Sequence, residues 1–284
     1  MGKLIRHSWN WQVVTGIKMG FVSRGDVKSV NMVRDLVEKF KSRARIFVEP
    51  ETARKLGLKE TPVCEMDTDF IVSVGGDGTI LRAIRKMDDP RPILGINMGT
   101  LGFLVDIEPD DAVRVLERTL FGFDVMERNR IEIQINGKSL ASATNEVALL
   151  SASPAKMLEF EIIVDGSLLE GLRADGLLFA TSTGSTAYAM SAGGPIVDPR
   201  VDAVVLVPMA PFKLSARPWV LPDSSIIKVN LPLPKKEALV VVDGENEGTI
   251  SKEDHVTIRK AEKPARFVKV SKNGFYEKVR SKLA

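Results

Sequence analysis

Gly75-Gly76-Asp77-Gly78-Thr79 joins an apolar run, Asp69 to Val74, to a helical pattern, Ile80 to Met87. Three glycines in four positions let the backbone turn sharply and let a ligand approach without side chains in the way. A loop at the carboxyl end of a strand, opening a helix, is where α/β proteins bind phosphate. Asp77 is the misfit, because a carboxylate repels phosphate unless a metal ion screens it or it takes up a proton. With a pKa of about 4, an ordinary carboxylate cannot deprotonate an alcohol outright. It can accept the proton as the O–P bond forms, while orienting the oxygen in line. The reading is phosphoryl transfer to an alcohol, with Asp77 as general base, metal organiser or both. The plain alternative is a tight turn with a capping aspartate.

Two other stretches carry suitable groups. In Arg173 to Ser191, Thr183, Ser185, Thr186 and Ser191 place small donors and acceptors around Gly184, and Tyr188 offers an aromatic face. Taken alone, this is equally a polar turn between strands. Asn145-Glu146 could hold a ribose diol through an amide and a carboxylate; taken alone, the pair reads as strand surface. Gly137-Lys138-Ser139 imitates the end of a P-loop, but the glycine required five positions earlier is Glu132. No dinucleotide fingerprint follows the first strand either, so a nucleotide here is held by neither common solution.

The elements that position these groups follow from periodicity. Ile17 to Ser23 reads as a strand, and Asp26 caps a helix in which Val27, Val30, Val33, Val37 and Phe40 recur at helical spacing. Arg45 to Val48 is a second strand, Thr52 to Leu58 a short helix, and Phe70 to Val74 a strand apolar on both faces. After the glycine loop and its helix, Pro92 to Asn97 is a fourth strand, leading into a second glycine loop, Asn97 to Phe103. This alternation predicts a doubly wound, Rossmann-like α/β domain over residues 1–120. Beyond Phe121 short strands take over: Ile131 to Ile135, Phe160 to Val164, Ala203 to Val207, Ile226 to Asn230, Leu239 to Val242 and Val256 to Ile258. Asn136-Gly137 and Asp165-Gly166 read as hairpin turns. A β-rich, sandwich-like domain is expected over 121–265, with 266–284 a C-terminal segment that could return to the first domain.

Composition narrows the classes. With 284 residues, a net charge of +3 and basic residues spread along the chain, nothing points to nucleic acid. Cys64 is the single cysteine, which excludes an internal disulfide framework and favours a reducing compartment, the cytoplasm. The two histidines, His7 and His255, lie far apart, so a zinc site is not expected. A metal here would be a hard cation held by oxygens, Mg²⁺ or another divalent ion, with Asp77 a candidate ligand. No stretch has membrane-spanning length, and residues 1–16 hold no signal-peptide core.

In combination and in this order, the motifs resemble the NAD kinase family. They are Gly75 to Thr79, Asn97 to Phe103, Thr144 to Val147, Ala155 to Phe160, Asp175-Gly176-Leu177, and Thr183 to Tyr188 through Ser191 to Pro195. The resemblance implies an α/β domain joined to a β-rich domain, acting as a homodimer or homotetramer whose sites borrow residues from a neighbouring subunit. It implies transfer of phosphate from ATP or polyphosphate, with Mg²⁺, to the 2′-hydroxyl of the adenosine ribose of NAD, giving NADP. By position, Asp77 matches the proton acceptor, and Gly76, Gly78 and Thr79 the phosphate-handling loop. Asn145 and Glu146 match the nucleoside-holding pair, and Phe103 an aromatic wall. Lys156, Arg173 and Asp175 match further dinucleotide contacts, with Glu245 a polar one. Thr183, Thr186, Ala187, Tyr188, Ala189, Met190 and Ser191 match the segment around adenine and ribose. Ser182 stands where many members have proline, and Met98 replaces a more usual polar or small residue. Lipid kinases share the first loop, but there an Asn-Glu pair follows almost directly, whereas here Ile80-Leu81-Arg82 follows. Phosphofructokinases carry a similar loop without this sugar-site context. A non-catalytic NAD(P) sensor would not need a base at Asp77.

Overall fold

The computed structural model describes residues 16–99, 102–105, 107–153, 156–234, 236–270 and 274–283. Residues 1–15, and Thr100, Leu101 and Ala155 of the motifs quoted above, lie outside them. The chain divides into two compact units, Met1–Glu127 with Ala265–Ala284, and Arg128–Pro264.

The first unit runs β1 (Lys18–Ser23), α1 (Val27–Phe40), β2 (Arg45–Val48), α2 (Pro50–Leu56), β3 (Phe70–Gly75), α3 (Asp77–Arg85), β4 (Ile93–Asn97), α4 (Ala112–Thr119) and β5 (Val125–Arg128). Asp26 caps α1 as expected, its Oδ1 accepting from Lys28 N and Ser29 N at 3.1 Å each. Val30, Val33, Leu36, Val37 and Phe40 are buried, but Val27, the first residue of the helix, is 75% exposed. Helix α2 begins two residues before its expected start, since proline suits the first helical position, and ends at Gly57 with φ of 65°.

The second unit runs β6 (Ile131–Ile135), β7 (Lys138–Ala143), β8 (Glu146–Ser151), β9 (Leu158–Val164), β10 (Ser167–Ala174), β11 (Gly176–Thr181), α5 (Tyr188–Ser191) and β12 (Ala203–Met209). It continues with β13 (Trp219–Pro222), β14 (Ile227–Asn230), β15 (Ala238–Val242), β16 (Glu245–Ile250) and β17 (Val256–Lys260). These strands form two six-stranded sheets, ordered β10-β9-β14-β17-β6-β7 and β13-β12-β11-β8-β15-β16. One core lies between them, with Phe160, Ile162 and Ile258 from the first sheet meeting Leu149, Phe179 and Val240 from the second. This is a sandwich. Three two-residue turns have both central φ angles positive: Asn136-Gly137, Asp165-Gly166 and, unforeseen as a hairpin, Asp243-Gly244.

The chain then returns to the first unit as β18 (Ala265–Val268) and α6 (Phe275–Leu283). The first unit's sheet is ordered β2-β1-β3-β4-β18-β5, with parallel pairing from β2 through to β18. The α/β unit therefore extends past residue 120 to Glu127, because β5 completes this sheet. The order 2-1-3-4 puts a topological switch between β1 and β3, where an α/β sheet opens a crevice at its carboxyl edge. No helix among the described residues is long and apolar enough to cross a membrane.

Candidate active site

Three strand ends line that crevice. Strand β1 delivers Arg24, whose N donates to Val74 O at 3.0 Å. Strand β3 delivers the first glycine loop, and β4 the second, tied to the first by Met98 N donating to Gly75 O at 3.0 Å. Arg24 bonds Asp26 through Nε at 2.6 Å and reaches Met98 O through Nη2 at 3.4 Å. Its guanidinium thus sits beside the second loop while its Cβ lies against Gly75 of the first, a cation that the sequence does not single out because one arginine after a strand carries no motif.

Gly76 and Gly78 both keep ordinary φ angles, and a Cβ built on either meets nothing within 4 Å. Nothing inside the chain requires glycine at these two positions. The space they leave is outside the protein, where a ligand would come. Gly102 is the opposite case, since a Cβ there would fall 2.0 Å from Asp77 Oδ1.

Asp77 is half-buried in the first turn of α3. Its Oδ2 accepts from Phe103 N at 2.6 Å, and its Oδ1 from Leu104 N at 3.0 Å and Val105 N at 3.1 Å. A carboxylate has about four lone-pair positions, so three amides leave room for roughly one more donor. Thr79 is buried behind the loop, and Phe103 is half-exposed.

In the second unit, β8, β11 and β15 are neighbours, and one end of this trio gathers most of the expected nucleoside residues. Asn145 precedes β8 and Glu146 begins it, Thr181 ends β11, and Asp243 follows β15. Asp243 bends back to accept from Thr144 N at 2.8 Å, Asn145 N at 2.7 Å and Glu146 N at 3.1 Å. The chain after β11 comes so close that a Cβ on Gly184 would fall 2.0 Å from Asn145 O. It then forms the single-turn Gly184–Thr186 and α5, with Tyr188 43% exposed, Ala189 fully buried, Thr186 buried, and Ser191 exposed. Thr183, Ala187 and Met190 are half-buried, and Glu245 is exposed at the start of β16. Arg173 to Ser191 is therefore not one polar turn but the end of β10, all of β11 and a helical hook.

Glu146 is not strand surface; it is 9% exposed. Burial, and then the neighbouring Asp243, push its carboxyl up to about 7, with the Tyr188 amide pulling it back. Burial also pushes the Asp243 carboxyl up, against the three amides and Arg130. Glu146 Oε2 and Arg130 Nε are buried with no hydrogen-bond partner among the described residues. Buried polar atoms are rarely left so, and an unmatched acceptor suits an incoming hydroxyl. Asp243 itself escaped the sequence reading, although its Asp-Gly pair is the same signal that marked Asp165-Gly166.

Lys156, Arg173 and Asp175 are not brought to this end. Asp175 N donates to Met209 O at 3.0 Å and its carbonyl accepts from Ser151 N at 2.8 Å, contacts at the opposite end of β8, β11 and β12. Lys156, exposed, is tied to the same end through Ser151 Oγ, which donates to its carbonyl at 2.6 Å. Arg173 lies over the Phe212 ring, 5.5 Å from its centroid. The length of β11, roughly 16 Å at strand rise, separates the two sets within one chain.

Both halves of the chain are similar to known proteins. Residues 28–122 match the ATP-NAD kinase N-terminal domain and residues 144–270 the ATP-NAD kinase C-terminal domain. An NAD kinase of Methanosarcina acetivorans is 54% identical over 94% of this chain and 98% of its own length. One from Methanothermobacter thermautotrophicus is 45% identical over 94% of this chain and 96% of its own. Among solved structures, an NAD kinase from Archaeoglobus fulgidus in complex with ATP superposes with a TM-score of 0.79 at 34% identity, covering 93% of this chain and 99% of that one. Yeast NADH kinase complexed with NADH has the same fold, with a TM-score of 0.87 at 24% identity over 94% of this chain and 87% of that one. The chain belongs to the NAD kinase family.

Proposed function

We propose that this NAD kinase transfers a phosphoryl group to the 2′-hydroxyl of the adenosine ribose of NAD, giving NADP, with Asp77 as the proton acceptor. The observation that carries this is Asp77 in a crevice where Gly76 and Gly78 keep space open that the chain itself does not need. Asp77 orients the hydroxyl and takes its proton as the O–P bond forms. Arg24 and the glycine-loop amides offset negative charge on the transferring group. In the β unit, Asn145 and Glu146 are the nucleoside-holding pair, Glu146 through its unmatched Oε2. Tyr188 and the residues Thr183, Thr186, Ala187, Ala189, Met190 and Ser191 form the nucleoside bed.

ATP is the favoured donor, by likeness to the Archaeoglobus enzyme, with polyphosphate the alternative. No three carboxylate, histidine or cysteine groups gather as metal ligands among the described residues. Mg²⁺, a hard cation that keeps waters and binds phosphates, would be carried by the donor, with Asp77 the candidate protein ligand. Lys156, Arg173 and Asp175 would serve a second copy's site, which favours a homodimer or homotetramer. The single cysteine, Cys64, exposed and unbridged, favours the cytoplasm.

The test is direct. Purified protein is incubated with NAD or NADH, with ATP or polyphosphate, and with Mg²⁺, and the products are resolved chromatographically. A product that an NADP-specific dehydrogenase accepts supports the 2′ assignment. A phosphorylated product that it rejects removes that assignment, and no product from any donor removes the reading.

A further inference from the structure

Helix α6 lies beyond both matched family regions, which end at residue 270. None of its residues carries a motif. Its lysines nevertheless converge on one residue of the second glycine loop. Lys278 Nζ donates to Phe103 O at 3.0 Å, and Lys282 Nζ stands 4.0 Å from the centre of the Phe103 ring. The i, i+4 spacing puts both lysines on one face of the helix. Phe103 is thus held at three points: its ring by Lys282, its carbonyl by Lys278, and its N–H by the Asp77 carboxylate at 2.6 Å.

Each contact has a different physical basis. The ammonium over a ring is attracted by the ring's negative face. The ammonium on a carbonyl is a charge-assisted hydrogen bond, which also polarises the neighbouring peptide. The carboxylate gathers three successive amides, which orients its oxygens and leaves one lone-pair region open. Burial lowers the pKa of Lys282, while Asp77 works the other way, which places that ammonium within electrostatic range of the carboxylate.

We propose that α6 is part of the phosphoryl-transfer machinery, with Lys278 and Lys282 as positioning residues that act through Phe103. They hold residues 103–105 onto Asp77 and so fix the direction of its remaining lone pair. The consequence for catalysis rests on the kinase reading above; the consequence for the loop does not.

The experiment uses the full chain with Lys278→Met, Lys282→Met, Lys282→Arg, Phe103→Leu and the double variant Lys282→Met/Phe103→Leu. Two quantities are read: hydrogen–deuterium exchange at the amides of 103–105 without ligand, and kcat with KM for NAD. Each Lys→Met change should speed exchange at those amides about tenfold and lower kcat about tenfold, with KM within about twofold, as expected for a misplaced base. Lys282→Arg should restore most of both, since guanidinium also stacks on an aromatic ring. The double variant should be no worse than its worse single, because both remove one contact. Unchanged exchange overturns the proposal. So does additivity in the double variant, which would make Lys282 a direct phosphate ligand. So does faster exchange spread over the whole unit with a lowered Tm, which would make α6 merely structural. A wild-type protein inactive with every donor would sink the kinase reading alone, since the exchange arm still decides the clamp.

Discussion

Asp77 in the α/β unit and Asp243 in the β unit do the same local job in different surroundings. Each carboxylate accepts three successive backbone N–H groups from a distant segment, 103–105 for Asp77 and 144–146 for Asp243. Asp77 stands in a crevice beside open space and the lysines of α6. Asp243 is pressed against a second acid, Glu146, with Arg130 the cation that offsets it. The device is shared, but the neighbours decide its use. A carboxylate beside open ligand space and cations can still take a proton from a substrate, whereas one set against a second acid and its own loop is left to hold that loop in place.

Asp77→Asn should break the first half of this comparison most strongly. The Asn oxygen can keep the Leu104 and Val105 amides, but its NH₂ would face the Phe103 N–H. Turnover should fall on the order of 10²–10⁴, the usual contribution of a general base, while NAD affinity stays within a few-fold. Isothermal titration beside kinetics decides it, and an equal loss of affinity would reduce Asp77 to a structural clasp.

Asp243→Ala should instead act on stability. Three amides lose their acceptor where Thr144 and Glu146 are buried, so urea unfolding should show a loss of roughly 3–5 kcal/mol. A midpoint within error of wild type would mean that the Asp243-Gly244 turn holds itself.

Glycine substitutions sharpen the contrast within one crevice. At Gly102 an added methyl meets Asp77 Oδ1 at 2.0 Å, so Gly102→Ala should pry the clasp open and cost about tenfold or more in kcat. Gly76→Ala meets no protein atom, so its stability should change by less than about 0.5 kcal/mol while donor binding weakens. Equal effects at the two positions would remove the distinction between clasp and ligand space.

A pH-dependent effect concerns Glu146, whose folded-state pKa is raised from 4.5 to about 7. A raised carboxyl contributes stability that is fully present below the unfolded value and is lost as pH rises through the folded one. Glu146→Gln should therefore gain on wild type between about pH 4.5 and 7, by roughly 1–3 kcal/mol in all. NAD affinity in the wild type should rise over the same window, as the ionised oxygen becomes a better acceptor for the ribose hydroxyls. Urea titrations at both ends of that window, with NAD binding alongside, check it; a flat difference would place Glu146 in ordinary solvent.

Legibility differed between the units for a physical reason. Strand β3 is legible to within one residue and α1 from its cap onward, because a central parallel strand is apolar on both faces and helix starts carry side-chain signals. In the β unit, β7 (Lys-Ser-Leu-Ala-Ser-Ala) and β16 (Glu-Asn-Glu-Gly-Thr-Ile) went unread. They are edge strands with exposed faces, made strands only by pairing with β6 and β15, whereas the central β8 and β11 are hidden by the polar motifs at their ends.

The sequence by itself determined which groups are present and what each can do: a carboxylate among glycines, an amide–acid pair, a hook of small hydroxyls. These are local properties, carried by residue type and spacing over a few positions. Tertiary structure decided which groups meet. Sheet order set Asn145 beside Asp243, and the run of β11 put Arg173 and Asp175 at the far end. Return of the chain through β18 laid Lys278 against Phe103, 175 residues away. Such meetings depend on strand register and on where the chain re-enters its own sheet, and no short window of residues encodes either.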